Sequence, residues 1–471
     1  MFDFYTTKKP SKETISIYPV RTDEFNDWFE SRSDATKSQI NVARFTAKPG
    51  ETVIVRNAKG ELKRVYYGVS NPVSAYDVAT LPEFLQSRLS DETLANDVFE
   101  LKDISDKEEI EKLILGWGLG CYKFDKYKTG EKTKNVWPIL RLPKGFEKHT
   151  ILNLLSGIFT CRDLINEPSN KLGPQELVER AKDIAKEFKA DCKIIHDKDL
   201  LKQNYPMIFT VGDSSERRPA LIDIRWGNKK DPMITLVGKG VCFDTGGVNV
   251  KPGQFMRNMK KDMGGAAHVL GLARAIMLSG LKIRLRVLVP AVENAVSGRA
   301  FRPDDVYPTR KGITVEIDNT DAEGRLILSD SLYEASSEKP ELIIDFATLT
   351  GAARIATGHE IPPFFSNRHE LEHDIKKVSF EVEDPVWPLP LWKGYRKELN
   401  SDIADICHMG KGRAGHITAA LFLQEFVGNE TPWVHFDVYG WSDANYPGKP
   451  KGGRDMGLHT TFEYLLRKYA A

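Results

Sequence analysis

Three short stretches gather the residue types that do chemistry. Leu236-Val237 runs into Gly238-Lys239-Gly240-Val241-Cys242-Phe243-Asp244-Thr245-Gly246-Gly247, with Lys251 seven residues beyond Asp244. Lys260-Lys261-Asp262 stands directly before a Gly-Gly-Ala-Ala helix start. Asp318-Asn319-Thr320-Asp321-Ala322-Glu323-Gly324-Arg325 lies between an apolar strand-like run and a helical one. Taken singly, each acid reads as a helix cap or a turn former. Taken together, Asp244, Asp262, Asp321 and Glu323 in glycine-rich turns at strand ends pose an electrostatic problem. Four carboxylates meeting in one cleft repel unless cations neutralise them. Two divalent ions balance four negative charges, and a pair about 3.5–4 Å apart is a hydrolytic arrangement. Oxygen ligands suit Zn, Mn, Mg and Co alike, so the donor type does not choose the metal.

Two other signals point elsewhere and fail in detail. Gly238-Lys239-Gly240 begins like a dinucleotide-binding loop, but position 243 is Phe where a third glycine belongs, and no GxxxxGK[ST] loop is present at this site. His369-Glu370-Leu371-Glu372-His373 satisfies HExxH, a zinc pattern on a helix. The segment SNRHELEHDIKK is charged throughout, however, and no third ligand follows at a fixed spacing, so it reads as a solvated helix. The functional competitor it would support is a zinc peptidase using His369 and His373.

The elements that must position the three stretches can be read from periodicity. After Pro174 the chain alternates helices and strands: helix Gln175–Phe188; strands Lys193–His196, Ile208–Val211, Leu221–Trp226 and Ile234–Val237; helix Gly264–Ser279; strands Ile283–Val289 and Ile313–Ile317; helix Leu326–Ala335; strand Leu342–Phe346; helix Thr418–Val427; strand Trp433–Val438; and helix Thr460–Tyr469. This alternation predicts a mixed, largely parallel sheet flanked by helices, with the site beyond the C-terminal ends of its strands. A long apolar-periodic segment from about Phe146 to Ile165, stopped at Asn166-Glu167-Pro168, predicts a connecting helix. The division is therefore an N-terminal α/β domain over 1–142, a connector over 143–168, and a larger C-terminal domain over 169–471. Within the first, Ile15–Val20, Val53–Val55 and Val65–Val69 read as strands, with a turn at Asn57–Glu61. Lys107–Leu115 reads as a helix leading into Gly116-Trp117-Gly118-Leu119-Gly120, and the lysine-rich run 123–135 as a surface loop.

Composition narrows the class. The chain has 471 residues, 41% hydrophobic and 28% charged, with ample length for a buried core. A formal charge of +1 gives no electrostatic footprint for nucleic acid or an anionic membrane, so neither partner is expected. No apolar stretch approaches the roughly 18 residues that span a bilayer. The start, with Asp3 and no apolar run, shows no secretory signal. Five scattered cysteines (Cys121, Cys161, Cys192, Cys242, Cys407), none in a CxxC pair, fit a reducing compartment, and a cytoplasmic location is expected.

The blocks VGKGVCFDTGGVNVK (237–251), KKDMGGAA (260–267), NTDAEGRL (319–326) and ATLTGA (347–352) give the second domain a close likeness to one family. It resembles the leucyl aminopeptidases, the dinuclear-metal cytosolic aminopeptidases of the M17 type. CRDLINEPSN (161–170) is similar to that family's domain connection, and LGCYKFDKYK (119–128) is family-like as well. The resemblance implies a small macro-like N-terminal α/β domain before the large catalytic one. It also implies a metal-dependent aminopeptidase that removes the N-terminal residue from peptides with a free N-terminus. Two divalent ions per chain are implied, Mn or Zn with Co or Mg as alternatives, together with a bicarbonate ion. Lys239, Asp244, Asp262 and Glu323 would hold one metal, and Asp244, Asp321 and Glu323 the other. Lys251 would stabilise the oxyanion, and Arg325 would hold the bicarbonate that serves as general base to a metal-bridging hydroxide. Met259 and Thr348 would line the substrate's side-chain pocket, Leu349 and Gly351 would offer backbone groups, and Asn319 would contact the substrate. The resemblance further implies a homohexamer. Two departures stand out: Thr245 replaces the commoner Ser, and His416 stands where the family usually has a small residue. A histidine at that position would narrow the pocket or add a polar contact. Some members of the family also bind DNA, a role that the balanced charge here does not support.

Overall fold

The computed structural model describes residues 2–8, 14–129, 136–146, 149–428 and 430–470. The chain divides into two units: one comprises 1–155 with 443–451, the other 156–442 with 452–471. The run at 123–135 is described only to residue 129; the rest of that expected loop lies outside the described residues.

The first unit is built on a six-stranded sheet. Its order is Tyr5–Thr6, Ile139–Arg141, Val98–Leu101, Ile15–Arg21, Leu62–Val69, Thr52–Arg56. All neighbours run parallel except the last two, an antiparallel hairpin turning at Asn57–Glu61. The helix starting at Lys107 is capped by Asp106, whose carboxylate accepts the Glu109 amide at 2.9 Å. It does not stop before the glycine-rich stretch but continues to Gly120. The reason is a close approach: a Cβ at Gly116 would lie 1.8 Å from the Ala75 carbonyl oxygen. Here glycine serves packing against helix Ala75–Val78 rather than helix termination.

In the second unit the main sheet runs Trp387–Pro388, Pro363–Ser366, Trp433–Asp437, Leu342–Ala347, Met233–Gly238, Arg284–Asn294, Ala220–Trp226, Asp191–His196. The four strands from Trp433–Asp437 to Arg284–Asn294 are parallel, and Gly240–Asp244 adds a further parallel pairing to the end of Arg284–Asn294. Leu342–Ala347 is buried along its whole length, as expected of a central parallel strand covered on both faces. Helices Gly264–Ser279 and Glu323–Ser337 supply much of that cover. The helix expected from about Phe146 to Ile165 is Thr150–Asn166, and the division between the two units falls within it, after Leu155.

Two sequence expectations need correction. Ile208–Val211 is not a strand; it lies in helix Pro206–Gly212. Pro206 occupies the first turn, and the buried carboxylate of Asp330, from a helix over 100 residues away, accepts the amides of Met207 (2.8 Å) and Ile208 (3.4 Å). A remote cap therefore overrides the β-propensity of the run. The Ile313–Ile317 strand is shorter (Thr314–Glu316) and stands outside the main sheet, between Val306–Pro308 and Ile406–Cys407 in a three-stranded sheet.

Candidate active site

The C-terminal ends of the parallel strands meet in one cleft. Lys239 follows Met233–Gly238, Asp244 ends Gly240–Asp244, Asn294 ends Arg284–Asn294, Thr348 follows Leu342–Ala347, and Asp437 ends Trp433–Asp437. Asp262 arrives from the 3-10 turn Met259–Met263, and Glu323 is the first residue of its helix, where the dipole favours a carboxylate. Beyond Asp244 the chain turns through Gly246 (φ +90°) and Gly247 (φ +64°), left-handed geometry that explains the Gly-Gly pair.

Asp244, Asp262 and Glu323, all buried, bring ligand oxygens within 4.8 Å of one another. Lys239 Nζ lies 2.8 Å from Asp262 Oδ2 and 3.0 Å from Glu323 Oε1, and donates to the Thr348 carbonyl at 2.7 Å. Lys251 Nζ joins the fourth acid to the group, 2.8 Å from Asp244 Oδ2 and 2.5 Å from Asp321 Oδ1. Asn294 Nδ2 donates to Asp244 Oδ1 at 2.8 Å, and Thr348 Oγ1 to Asp262 Oδ1 at 2.8 Å. Although ammonium groups are near, Asp262 Oδ2, Asp321 Oδ1 and Glu323 Oε1 are buried without an aligned hydrogen bond, as is Asn294 Oδ1. Four converging carboxylates whose nearest cations are two lysines offer the hard oxygen donors a divalent ion requires, so these residues fit divalent metal.

The electrostatics agree. Burial, with Glu323 and Asp262 close by, pushes the Asp244 carboxyl up; burial likewise raises Asp262 and Asp321. For Glu323 burial acts upward too, but Lys239 and Lys251 more than offset it and hold it below the ordinary range. Lys239 is opposed by burial and raised by Asp262, Glu323 and Asp244, so the protein alone keeps it protonated. A neighbouring dication reverses that sign, since a lysine ligates only as the amine.

Arg325 is buried, and burial lowers its pKa to about 10. Its Nη1 donates to the His408 carbonyl at 2.8 Å, while Nε has no hydrogen-bond partner among the described residues. His408 escaped the sequence reading. Its Nδ1 accepts the Asp318 amide at 3.2 Å, which leaves Nε2–H to donate to the Asn319 carbonyl at 2.9 Å. Burial lowers its pKa to about 4, and the neutral ring ties Asp318 and Asn319 to the chain beside Arg325. Asn294 and Asp437 were also missed. The Asp437 carboxylate accepts the Leu349 and Thr350 amides at 3.1 Å and the Thr350 hydroxyl at 2.6 Å, which fixes the turn after Thr348. Single polar residues at the ends of apolar strands carry no motif, and only the topology shows that they converge.

Lys239, Asp244, Lys251, Met259, Asp262, Asp321, Thr348, Leu349 and Gly351 all line one cleft, joined by Lys261, Arg354 and Tyr439. Glu323 sits behind the wall, in contact with Lys239. Asn319 turns its side chain inward to cap the Asp321 amide at 2.8 Å. His416, expected to narrow the pocket or add a polar contact, is not among the residues that line the cleft; it is half-buried 6.3 Å from the Phe365 ring. His369 and His373 begin the surface helix His369–Glu381, with side chains 99% and 78% exposed, each beside an acid of its own helix. They hold nothing in common with the cleft.

A profile for the cytosol aminopeptidase family, catalytic domain, matches residues 159–462, and one for the M17 aminopeptidase N-terminal domain matches 15–140. The chain belongs to the cytosol aminopeptidase family. A probable cytosol aminopeptidase of Aquifex aeolicus is 39% identical over 374 residues, 78% of this chain and 76% of that one. Another, from Chlamydia caviae, is 42% identical over 321 residues, 66% of this chain and 64% of that one. The crystal structure of a cytosol aminopeptidase from Coxiella burnetii superposes with a TM-score of 0.93 at 44% identity, covering 99% of this chain and all of that one. The bottromycin maturation enzyme BotP, in complex with Mn, follows with a TM-score of 0.85 at 28% identity over 96% of this chain and 99% of that one. The two-domain α/β architecture is that of the family, and the protein is a peptidase that removes N-terminal residues.

Proposed function

We propose that this aminopeptidase uses two divalent metal ions, as leucyl-type members do. Lys239, Asp244, Asp262 and Glu323 would hold one, and Asp244, Asp321 and Glu323 the other, with Mn or Zn as resident metal and Co or Mg as substitutes. The observation that carries this is the convergence of buried Asp244, Asp262 and Glu323 oxygens within 4.8 Å of one another. Such a pair of ions polarises a carbonyl and lowers the pKa of water. Bicarbonate, the group we assign to Arg325, supplies a general base; the unpartnered Nε of that buried guanidinium fits a planar anion.

The chain's own groups do the rest. Lys251, kept protonated by Asp244 and its neighbours despite burial, presents a fixed positive charge where the oxyanion develops. Asp437 orders the turn carrying Leu349 and Gly351, whose backbone groups would align the peptide. Met259 and Thr348 would wall the pocket for the first side chain, and Asn319 acts near the substrate through the turn it caps. A free α-amine placed against the acidic end of the cleft explains why cleavage stops at the first residue. We further propose a cytoplasmic homohexamer acting on peptides, without a nucleic-acid or membrane partner. The near-balanced charge supports this, and among the described residues no helix is long and apolar enough to cross a membrane.

The test is hydrolysis of Leu- and Met-anilides after dialysis against chelator, then restoration of Mn, Zn, Co or Mg with and without bicarbonate. Activity should vanish, return with metal, rise with bicarbonate, and be absent for N-acetylated substrates. Undiminished hydrolysis after chelation, or cleavage of the acetylated substrate, would refute the reading.

A further inference from the structure

The acids and lysines at the carboxylate end of the cleft do not exhaust its charge. Lys239 and Lys251 are both engaged by carboxylates, but the same cleft is lined by two more cations, Lys261 and Arg354. Lys261 Nζ lies 4.9 Å from the centre of the Tyr439 ring and Arg354 Cζ 4.7 Å from it, so the two positive groups share one aromatic ring. Among the described residues neither forms an ion pair. The nearest acid in sequence to Arg354, Glu360, pairs with Arg454 at 2.7 and 2.9 Å. Asp437, on the same wall, is taken by Leu349 and Thr350. Lys261 is only 6% exposed, so its charge is largely removed from water. Two like charges held over one ring and partly desolvated call for an anion. Around them the wall is apolar: Met259, Ala353, Pro362 and Met456.

We propose that Lys261 and Arg354 select an acidic side chain, glutamate or aspartate, on the N-terminal residue of the substrate. This rests on the aminopeptidase reading above and names the substrate class of that site. The α-amine is bound at the carboxylates, and Lys261 directly precedes Asp262 in the 3-10 turn Met259–Met263, so the cations stand within reach of the residue that carries the amine. An apolar stem against Met259 and Ala353 with a carboxylate between the cations would satisfy every wall. An N-terminal Lys or Arg would add a third positive charge.

The experiment compares kcat/KM for Glu-, Asp-, Leu- and Lys-anilides with metal-loaded enzyme, in the wild type and in Arg354→Met, Lys261→Met and Arg354→Glu. A charge-assisted hydrogen bond made with the first residue predicts Glu and Asp about ten- to hundredfold above Leu, with Lys slowest. Either Met variant should lower the Glu:Leu ratio about tenfold or more, and Arg354→Glu should move the preference towards Lys. The ratio is taken within one preparation, so partial loss of folded enzyme does not change it. Leu exceeding Glu in the wild type, or a ratio unmoved in both Met variants, would overturn the proposal while leaving the aminopeptidase intact. A preference for acid found only in Leu-Glu over Leu-Leu dipeptides, or only with a free C-terminal carboxylate, would overturn it too. Failure to cleave any free-amine substrate would strike the underlying reading instead, and this inference would fall with it.

Discussion

In the second unit two clusters of opposite charges, each around a buried cation, are built differently. Around Arg286, which is 2% exposed, every group is matched. Its Nε and Nη2 bond both oxygens of Asp223 at 3.1 and 2.8 Å, and Nη2 reaches Glu334 at 2.7 Å. Arg310 takes the other Glu334 oxygen at 2.6 Å, and Arg225 grips Glu338 with both terminal nitrogens at 2.5 and 3.0 Å. At the strand ends, lysines replace arginines, four acids face two of them, and several oxygens have no aligned donor. A planar guanidinium fixes a carboxylate in place, whereas a compact ammonium leaves room for another cation. The first cluster holds the sheet to helix Glu323–Ser337; the second lines a cleft and keeps its oxygens available.

Mutations should separate the two clusters by what they do to turnover. Glu323→Ala removes a carboxylate shared by both proposed ions, so turnover of a Leu-anilide should fall by about 10³-fold or more. The same change takes a buried partner from Lys239 and should lower the melting temperature as well, so turnover per folded enzyme is the discriminating readout; a stability loss without loss of turnover would contradict the contrast. Arg286→Ala should cost stability alone. Breaking one partner of a buried pair costs about 3–5 kcal/mol of folding stability, read by urea unfolding, with kcat of the folded enzyme unchanged. The smallest effect is in acid. Arg225 holds Glu338 low, and Arg286 and Arg310 hold Glu334 low against its burial. Carboxyls depressed in the folded state contribute stability that is complete above the unfolded value of about 4.3 and is lost as pH falls through the folded value. Arg286→Ala should therefore flatten the decline in stability below that pH, as read from melting temperatures across a pH series.

Much of the site was legible because its proposed metal ligands lie in continuous blocks: Lys239 and Asp244 five residues apart, Asp321 and Glu323 at a helix start. Their geometry follows from a general rule, that polar turns after apolar parallel strands face a common crevice. The HExxH segment was legible as surface because its charges leave only Leu371, Ile375, Val378 and Ser379 buried. What escaped depends on partners remote in sequence. Helix Pro206–Gly212 relies on Asp330, the continuation of a helix through Gly120 relies on Ala75 and Ala79, and His408 reaches Arg325 across 83 residues. Asn294 and Asp437 are single residues whose meaning comes from strand order. The cation pair around Tyr439 was invisible for the same reason: Lys261, Arg354 and Tyr439 come from three separate segments.

The central claim is that the lysine–carboxylate cluster is a site for two cations while the arginine-built one is not. Its most direct test is an elemental metal count per chain on protein loaded with Mn or Zn and freed of excess, for the wild type, Glu323→Ala and Arg286→Ala. The account predicts two ions in the wild type and in folded Arg286→Ala, and fewer than two in Glu323→Ala. A wild type that holds no ion, or a Glu323→Ala protein that still holds two, would contradict it.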